Sequence, residues 1–178
     1  MALPPCAADT CVSSGVKGNF YIVKQPTANC CWATVLAMMY SWKQQSFISE
    51  KEVLSPYPHY ANLFSTGAAN GIRVEEEIAL YDSLGLAIER QQNPTIQGWC
   101  EMIDRYGPLS VTIDAHPPFG TMHAILILAV YGANTGLHTT IIYADPATGT
   151  IHTEGFLIFM KMYESKYSVD WPIQNHTF

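Results

Sequence analysis

Charge is scarce in this chain. Asp, Glu, Lys and Arg make up 13% of its 178 residues against 48% hydrophobic ones, a balance that argues against disorder and for one compact domain with a real core. Runs of Lys or Arg are missing and the formal net charge of −6 is thinly spread, so neither nucleic acid nor an anionic membrane surface is an expected partner. A neutral or basic partner fits better. The longest apolar run, Ala124 to Tyr131, is far too short to span a bilayer and reads as a buried strand. Internal repeats and low-complexity blocks are absent, and the first residues lack the basic head and continuous apolar stretch of a secretory signal.

A disulfide framework is also unexpected. The five cysteines, Cys6, Cys11, Cys30, Cys31 and Cys100, are an odd number in a chain large enough to fold without staples. Cys6 and Cys11 could pair or bind metal, but no second ligand pair follows them, and His138, His152 and His176 lack metal-site spacing. Neither metal nor cofactor is expected.

Residues 1–19, rich in Pro, Ala, Ser and Gly, read as a flexible flank, and residues 20–178 as a single domain. Phe20 to Val23 reads as a short strand before the Gln25-Pro26 turn. An apolar helix follows from about residue 30 to 43, with Asn29 a good cap just before it. Ser49 and Glu52 form a capping-box pattern for a shorter helix that ends at the turn-rich Pro56-Tyr-Pro58. Ile72 to Leu84 reads as a helix with an acidic first turn, Leu86 to Arg90 as a strand, and Ile96 to Tyr106 as a helix capped by Thr95 and stopped at Gly107-Pro108. Strands are then expected at Leu109 to Asp114, Met122 to Tyr131, Thr139 to Ala144 and Thr150 to Thr153, before an amphipathic segment from Gly155 to Tyr163. Helices first and an antiparallel sheet second make an α+β fold, with a helical N-terminal half packed on a C-terminal sheet.

The chemistry concentrates at Gln25-Pro-Thr-Ala-Asn-Cys-Cys-Trp-Ala33. Cys31 falls in the first turn of the apolar helix, where the positive end of the dipole favours thiolate over thiol. A thiol enzyme needs a nucleophile, a base, a group that orients the base, and oxyanion donors. Cys31 can supply the sulfur, His123 at the mouth of a buried strand the base, and Asp145 at a strand end the orienting carboxylate. Gln25, six residues before Cys31, can form the oxyanion hole with the Cys31 backbone N–H. Cys30 is the rival nucleophile, disfavoured because a one-residue shift turns the thiol about 100° around the helix. His116 is the fallback base; His59 reads as an exposed loop residue, Cys100 as an inert small hydrophobe and Trp32 as packing behind the nucleophile. Asp145 could also be an ordinary turn residue in Asp-Pro-x-x-Gly.

At these residues the chain resembles the papain-like cysteine peptidases, whose pattern is a Gln six residues before Cys-Trp-Ala at a helix start, then a His opening a strand, then Asn or Asp at the next strand's end. Met122-His-Ala-Ile-Leu126 and Tyr143-Ala-Asp-Pro146 are similar to the compact bacterial members, among them bacteriocin leader-processing peptidases and plant-pathogen effector proteases. The segment before the nucleophile, Ala28-Asn-Cys-Cys-Trp32, lacks the first, disulfide-forming Cys of secreted papains. The interval from Cys31 to His123 is also shorter than the ~130–150 residues of papain-type chains. The resemblance therefore implies a minimal enzyme without large loops that cleaves a protein substrate through Cys31, His123 and Asp145 with no cofactor. It also implies the toxin or effector domain of a larger delivered protein, acting in a target cell's cytoplasm and answered by an immunity protein that plugs the cleft. The same order of residues serves transglutaminases, deamidases and cell-wall amidases, and a papain-like domain can also be a non-catalytic binding module. Substrate pockets are built from loops not local in sequence; Pro56 to Gly71 is a candidate cleft wall.

Overall fold

One helix runs through the protein interior with almost no polar face. Helix α1, Cys31–Gln44, has every residue from Trp32 to Met39 buried, as an all-round apolar helix must be. Its one polar side chain in that stretch, Thr34, donates to Glu50 Oε1 at 2.9 Å, so the hydroxyl is buried with a partner. The helix stops where Gln45 turns left-handed at φ 52 and returns its N–H to the Ser41 and Trp42 carbonyls.

The computed structural model describes residues 12–67, 71–90, 94–116, 122–165 and 173–177. Cys6, Cys11 and Pro117-Pro118 lie outside the described residues. Five further helices follow α1: α2 Glu50–Leu54, α3 Pro58–Thr66, α4 Val74–Ser83, α5 Ile96–Tyr106 and α6 Phe156–Tyr163. The strands are β1 Val12–Gly15, β2 Ala87–Arg90, β3 Leu109–Asp114, β4 Met122–Gly132, β5 Thr139–Asp145, β6 Thr150–Gly155 and β7 Ile173–Thr177. They form one sheet in the order β2-β7-β3-β4-β5-β6, and every pair is antiparallel. The fold is α+β, with α1 and α5 packed on the central strand β4 and α6 on β3, β5 and β6.

Three sequence expectations are corrected. The flank expected through residue 19 gives way at Val12: β1 pairs with the far half of β4, from Val12 opposite Gly132 to Gly15 opposite Ala129. It takes up the edge that β3 vacates beyond the pair Leu109 and Ile127. Ser14 is buried there because its hydroxyl bonds Asp104 Oδ1 of α5 at 2.8 Å. Phe20 to Val23 forms no strand; it is extended chain leading to α1. The Pro-rich turn after α2 becomes a helix, α3, because Pro58 sits at its first position, where a missing N–H costs nothing. His59 is therefore a helical residue, exposed and 3.1 Å from Glu76 Oε1.

Other elements follow from local chemistry. Ser49 and Glu52 make a reciprocal capping box at α2, and the Thr95 hydroxyl accepts from Gly98 N at α5. At Gly107, φ is +85, and a Cβ would fall 2.2 Å from the Trp42 ring, so only glycine lets α5 end against the last turn of α1.

Candidate active site

The start of α1 meets one end of the sheet, and the three residues expected to carry chemistry meet there. Cys31 is the first residue of the helix; His123 is the second residue of β4 and Asp145 the last of β5. His123 Nε2 lies 2.7 Å from Asp145 Oδ1, with both side chains mostly buried, 14% and 16% exposed. Cys31 borders the same depression as this imidazole and favours its charged form. With Nε2 turned to the carboxylate, Nδ1 is the nitrogen left for sulfur.

Burial works against a charged His123, but its hydrogen bond to Asp145 and the nearby Cys31 outweigh that and lift its pKa to about 9. For Asp145, burial favours the acid, but the bond to His123, the Ala147 N–H at 2.8 Å and the nearby histidines His123 and His152 bring its pKa below the usual carboxylate value. The arrangement therefore keeps an imidazolium beside sulfur at neutral pH, the charge state in which a histidine can later give up a proton.

Two depressions meet at His123. One, of about 280 Å³, is bordered by Cys31, Trp32, Ile72, Glu77 and Thr112; the other, of about 730 Å³, by Gln25, Ile113, Tyr143, Asp145 and Met162. Asn29, Met122 and His123 border both. Of the expected cleft wall from Pro56 to Gly71, Gly71 borders the smaller depression, and residues 68–70 lie outside the described residues.

The expected helix cap is corrected. Cys30, not Asn29, holds the cap position, and its side chain makes no cap hydrogen bond; the Asn29 carbonyl accepts from Trp32 Nε1 at 3.1 Å. The Cys31 N–H is the first of α1 and has no carbonyl partner within the helix. Gln25 borders the larger depression, but its amide nitrogen donates to the Thr27 and Ala28 carbonyls at 2.7 and 2.9 Å. Its Oε1 is buried without a hydrogen bond. An oxyanion role for this side chain requires those two bonds to be exchanged.

The rival residues sit elsewhere. Cys30 is buried, its sulfur 2.9 Å from Thr27 Oγ1 and 3.8 Å from the Phe64 carbonyl. Cys100 is buried on α5, and desolvation, with Asp104 and Glu101 nearby, pushes its thiol up to about 11. His116 is exposed and borders the larger depression. All three described cysteines are free thiols. Among the described residues no three His, Cys, Asp or Glu side chains are grouped to hold a metal ion, and no helix is long and apolar enough to cross a membrane.

Two residues escaped the sequence reading. Glu77, grouped there with an acidic first turn, is 2% exposed and borders the cavity that holds Cys31. His152 Nε2 lies 3.7 Å from Asp145 Oδ2. A signal for His152 was present: a hairpin closing through Asp145-Pro-Ala-Thr-Gly149 places residue 152 across from residue 143.

The family model described as papain-like cysteine protease AvrRpt2 matches residues 12–167 of this chain, starting where β1 starts. No curated protein matches it. Among solved structures, the chain is similar to UfSP from C. elegans, with a TM-score of 0.55 and 16% identity. That alignment covers 93% of this chain and 33% of the other, so the chain spans about a third of that structure's length. At that identity the likeness is one of fold.

Proposed function

Because the chain belongs to the papain-like cysteine protease family of AvrRpt2, we propose that it is an endopeptidase whose nucleophile, base and orienting acid are Cys31, His123 and Asp145. The observation that carries this reading is the 2.7 Å bond from His123 to Asp145 beside Cys31 at the first turn of α1, where two depressions meet.

The Cys31 sulfur attacks the carbonyl carbon of the scissile bond, forming an S–C bond and moving the carbonyl electron pair onto oxygen. The Cys31 N–H, at the positive end of α1, hydrogen-bonds that oxyanion. Its collapse breaks the C–N bond, and the departing amine takes the proton from the His123 imidazolium. Water then gives a proton to His123 as its oxygen attacks the thioester, and the acid product leaves with the thiolate and imidazolium restored. Asp145 keeps the ring oriented and its charge balanced throughout. Gln25 joins as a second oxyanion donor once substrate competes its amide away from Thr27 and Ala28. Transferases and amidases with the same residue order differ only in the acceptor, and the Gln25 and Trp32-Ala33 context favours peptide cleavage.

A peptide bearing a thiol-reactive electrophile tests the assignment. Labelling is expected at Cys31 and lost when His123 is removed; labelling elsewhere, or labelling indifferent to His123, defeats it. New protein termini found after expressing this chain, but not its Cys31→Ala variant, would name the substrate.

The reading extends to a domain of a larger delivered effector or toxin that cuts a protein in the target cell's cytoplasm, with a cognate inhibitor protein covering the cleft. Its support is the resemblance of Met122-His-Ala-Ile-Leu126 and Tyr143-Ala-Asp-Pro146 to effector proteases. An active copy that proves harmless in bacterial cytosol would count against the toxin form.

A further inference from the structure

Asp145 has two carboxylate oxygens, and the triad uses one. Oδ1 takes His123 Nε2 at 2.7 Å and the Ala147 N–H at 2.8 Å. Oδ2 faces a second histidine, His152, whose Nε2 is 3.7 Å away. That imidazole is unusually well fixed for a side chain 37% exposed. Its ring stacks on Tyr143 with centroids 5.4 Å apart and planes at 12°, as the register requires, since Tyr143 is paired with His152 across β5 and β6. Its Nε2 also lies 2.9 Å from Thr148 Oγ1 and 3.0 Å from Thr150 Oγ1, and those two hydroxyls are 2.8 Å apart. Three oxygens, two hydroxyl and one carboxylate, therefore surround the Nε2 position.

We infer that His152 is a positioning residue for the reaction: its ring, fixed by Tyr143, Thr148 and Thr150, backs the outer oxygen of Asp145 so that the inner oxygen stays on His123. This inference rests on the proposed triad. A carboxylate anchored at one oxygen can swing about its Cα–Cβ and Cβ–Cγ bonds; a fixed ring 3.7 Å from the second oxygen, in contact but beyond hydrogen-bond length, limits that swing, and a fixed acceptor makes a better partner for His123. The neighbouring residues contribute the fixation: Tyr143 supplies a face, the turn after β5 supplies Thr148, and the start of β6 supplies Thr150.

The other titratable groups around His123 and Asp145 are few. Cys31 stands beside His123 from α1, Glu77 of α4 and His116 after β3 border the depressions, and Lys24 borders the larger one from the segment before α1. Glu154, on β6, and Asp145 both act on Tyr143. None of these other than His152 stands within ion-pairing distance of Asp145 Oδ2 among the described residues.

The test follows the His123 ring by NMR across pH, a readout that needs no substrate. In the unaltered protein His123 is expected to lose its proton near pH 9. In His152→Ala this midpoint is expected to fall by about one unit, a tenfold weaker hold on the proton. Tyr143→Leu, which leaves the histidine but removes its stacking face, is expected to shift it less in the same direction. His152→Gln, whose amide N–H can reach the same oxygens, should restore most of it. Peptide cleavage by His152→Ala should lose kcat with KM unchanged. A midpoint that stays put or rises overturns the proposal. If wild-type protein shows the pH 9 midpoint and its His152 dependence but cleaves no peptide, the proteolytic reading fails while the positioning stands.

Discussion

The backbone N–H of Gln25 donates to the Pro146 carbonyl at 2.8 Å. The loop that delivers the first turn of α1 is thereby fastened to the turn that delivers Asp145, two segments far apart in sequence. Gly149 tightens the same junction: its φ is +70, and a Cβ there would lie 2.7 Å from Lys24 Cβ. Nucleophile side and acid side of the cleft are thus built as one piece.

Gly149→Ala should break that piece. A left-handed φ costs a non-glycine residue about 1–2 kcal/mol before the clash with Lys24 is counted. Thermal unfolding should show the loss, and peptide cleavage should fall more than stability does, because Gln25 and Asp145 shift together. Unchanged kinetics in a destabilised protein would mean the junction is structural alone.

The two adjacent thiols should behave differently. Cys31→Ala is expected to abolish both cleavage and electrophile labelling. Cys30→Ala should keep both, with a modest stability loss from its small cavity under Phe64 and Thr27. Intact-mass measurement after labelling decides between them.

The charge on His123 gives a pH signature. Its pKa is raised above the ordinary histidine value of about 6.5 to about 9, so its contribution to stability is fully present below 6.5 and drains away as pH rises through 9. Cleavage should decline through the same window, since the amine loses its proton donor. Alkylation of Cys31 by a small electrophile needs no such donor and should not decline. Asp145→Asn should move the alkaline limb of cleavage to lower pH; a limb that does not move would remove Asp145 from the site.

Ser49→Ala, at the capping box of α2, should cost about 1 kcal/mol without changing kcat or KM. It separates loss of fold from loss of chemistry in the series, and denaturant unfolding measures it.

The core helix and the site residues were legible because both leave local marks. An uninterrupted apolar stretch from Trp32 onward can only be buried, and Gln25, Cys31 and Trp32 carry their spacing in a single segment. The meeting of Cys31, His123 and Asp145 could be expected from strand ends before any coordinates. What stayed hidden depends on partners distant in sequence. Nothing near Ser13 and Ser14 announces a strand; β1 exists because β4 outruns β3 and Asp104 receives Ser14. Helix α3 hid behind its own proline. Glu77 read as one acid of an acidic helix start, and nothing in that pattern says which of its members is buried at the cavity. Gln25 was assigned a direction that spacing cannot give: its position is local, but where its amide points is set by the carbonyls of Thr27 and Ala28.

The uncapped start of α1 carries a lesson for anyone trying to toughen this protein. A Ser, Asp or Asn at position 30 is the standard remedy for a bare helix start and ordinarily adds about 1 kcal/mol. Here such a side chain would accept from the N–H of Trp32 or Ala33 and leave the Cys31 N–H to the oxyanion, so Ser or Asn at position 30 should stabilise without loss of turnover. A carboxylate there would set a negative charge beside the sulfur, so heat resistance and turnover should trade against each other at residue 30 for Asp alone.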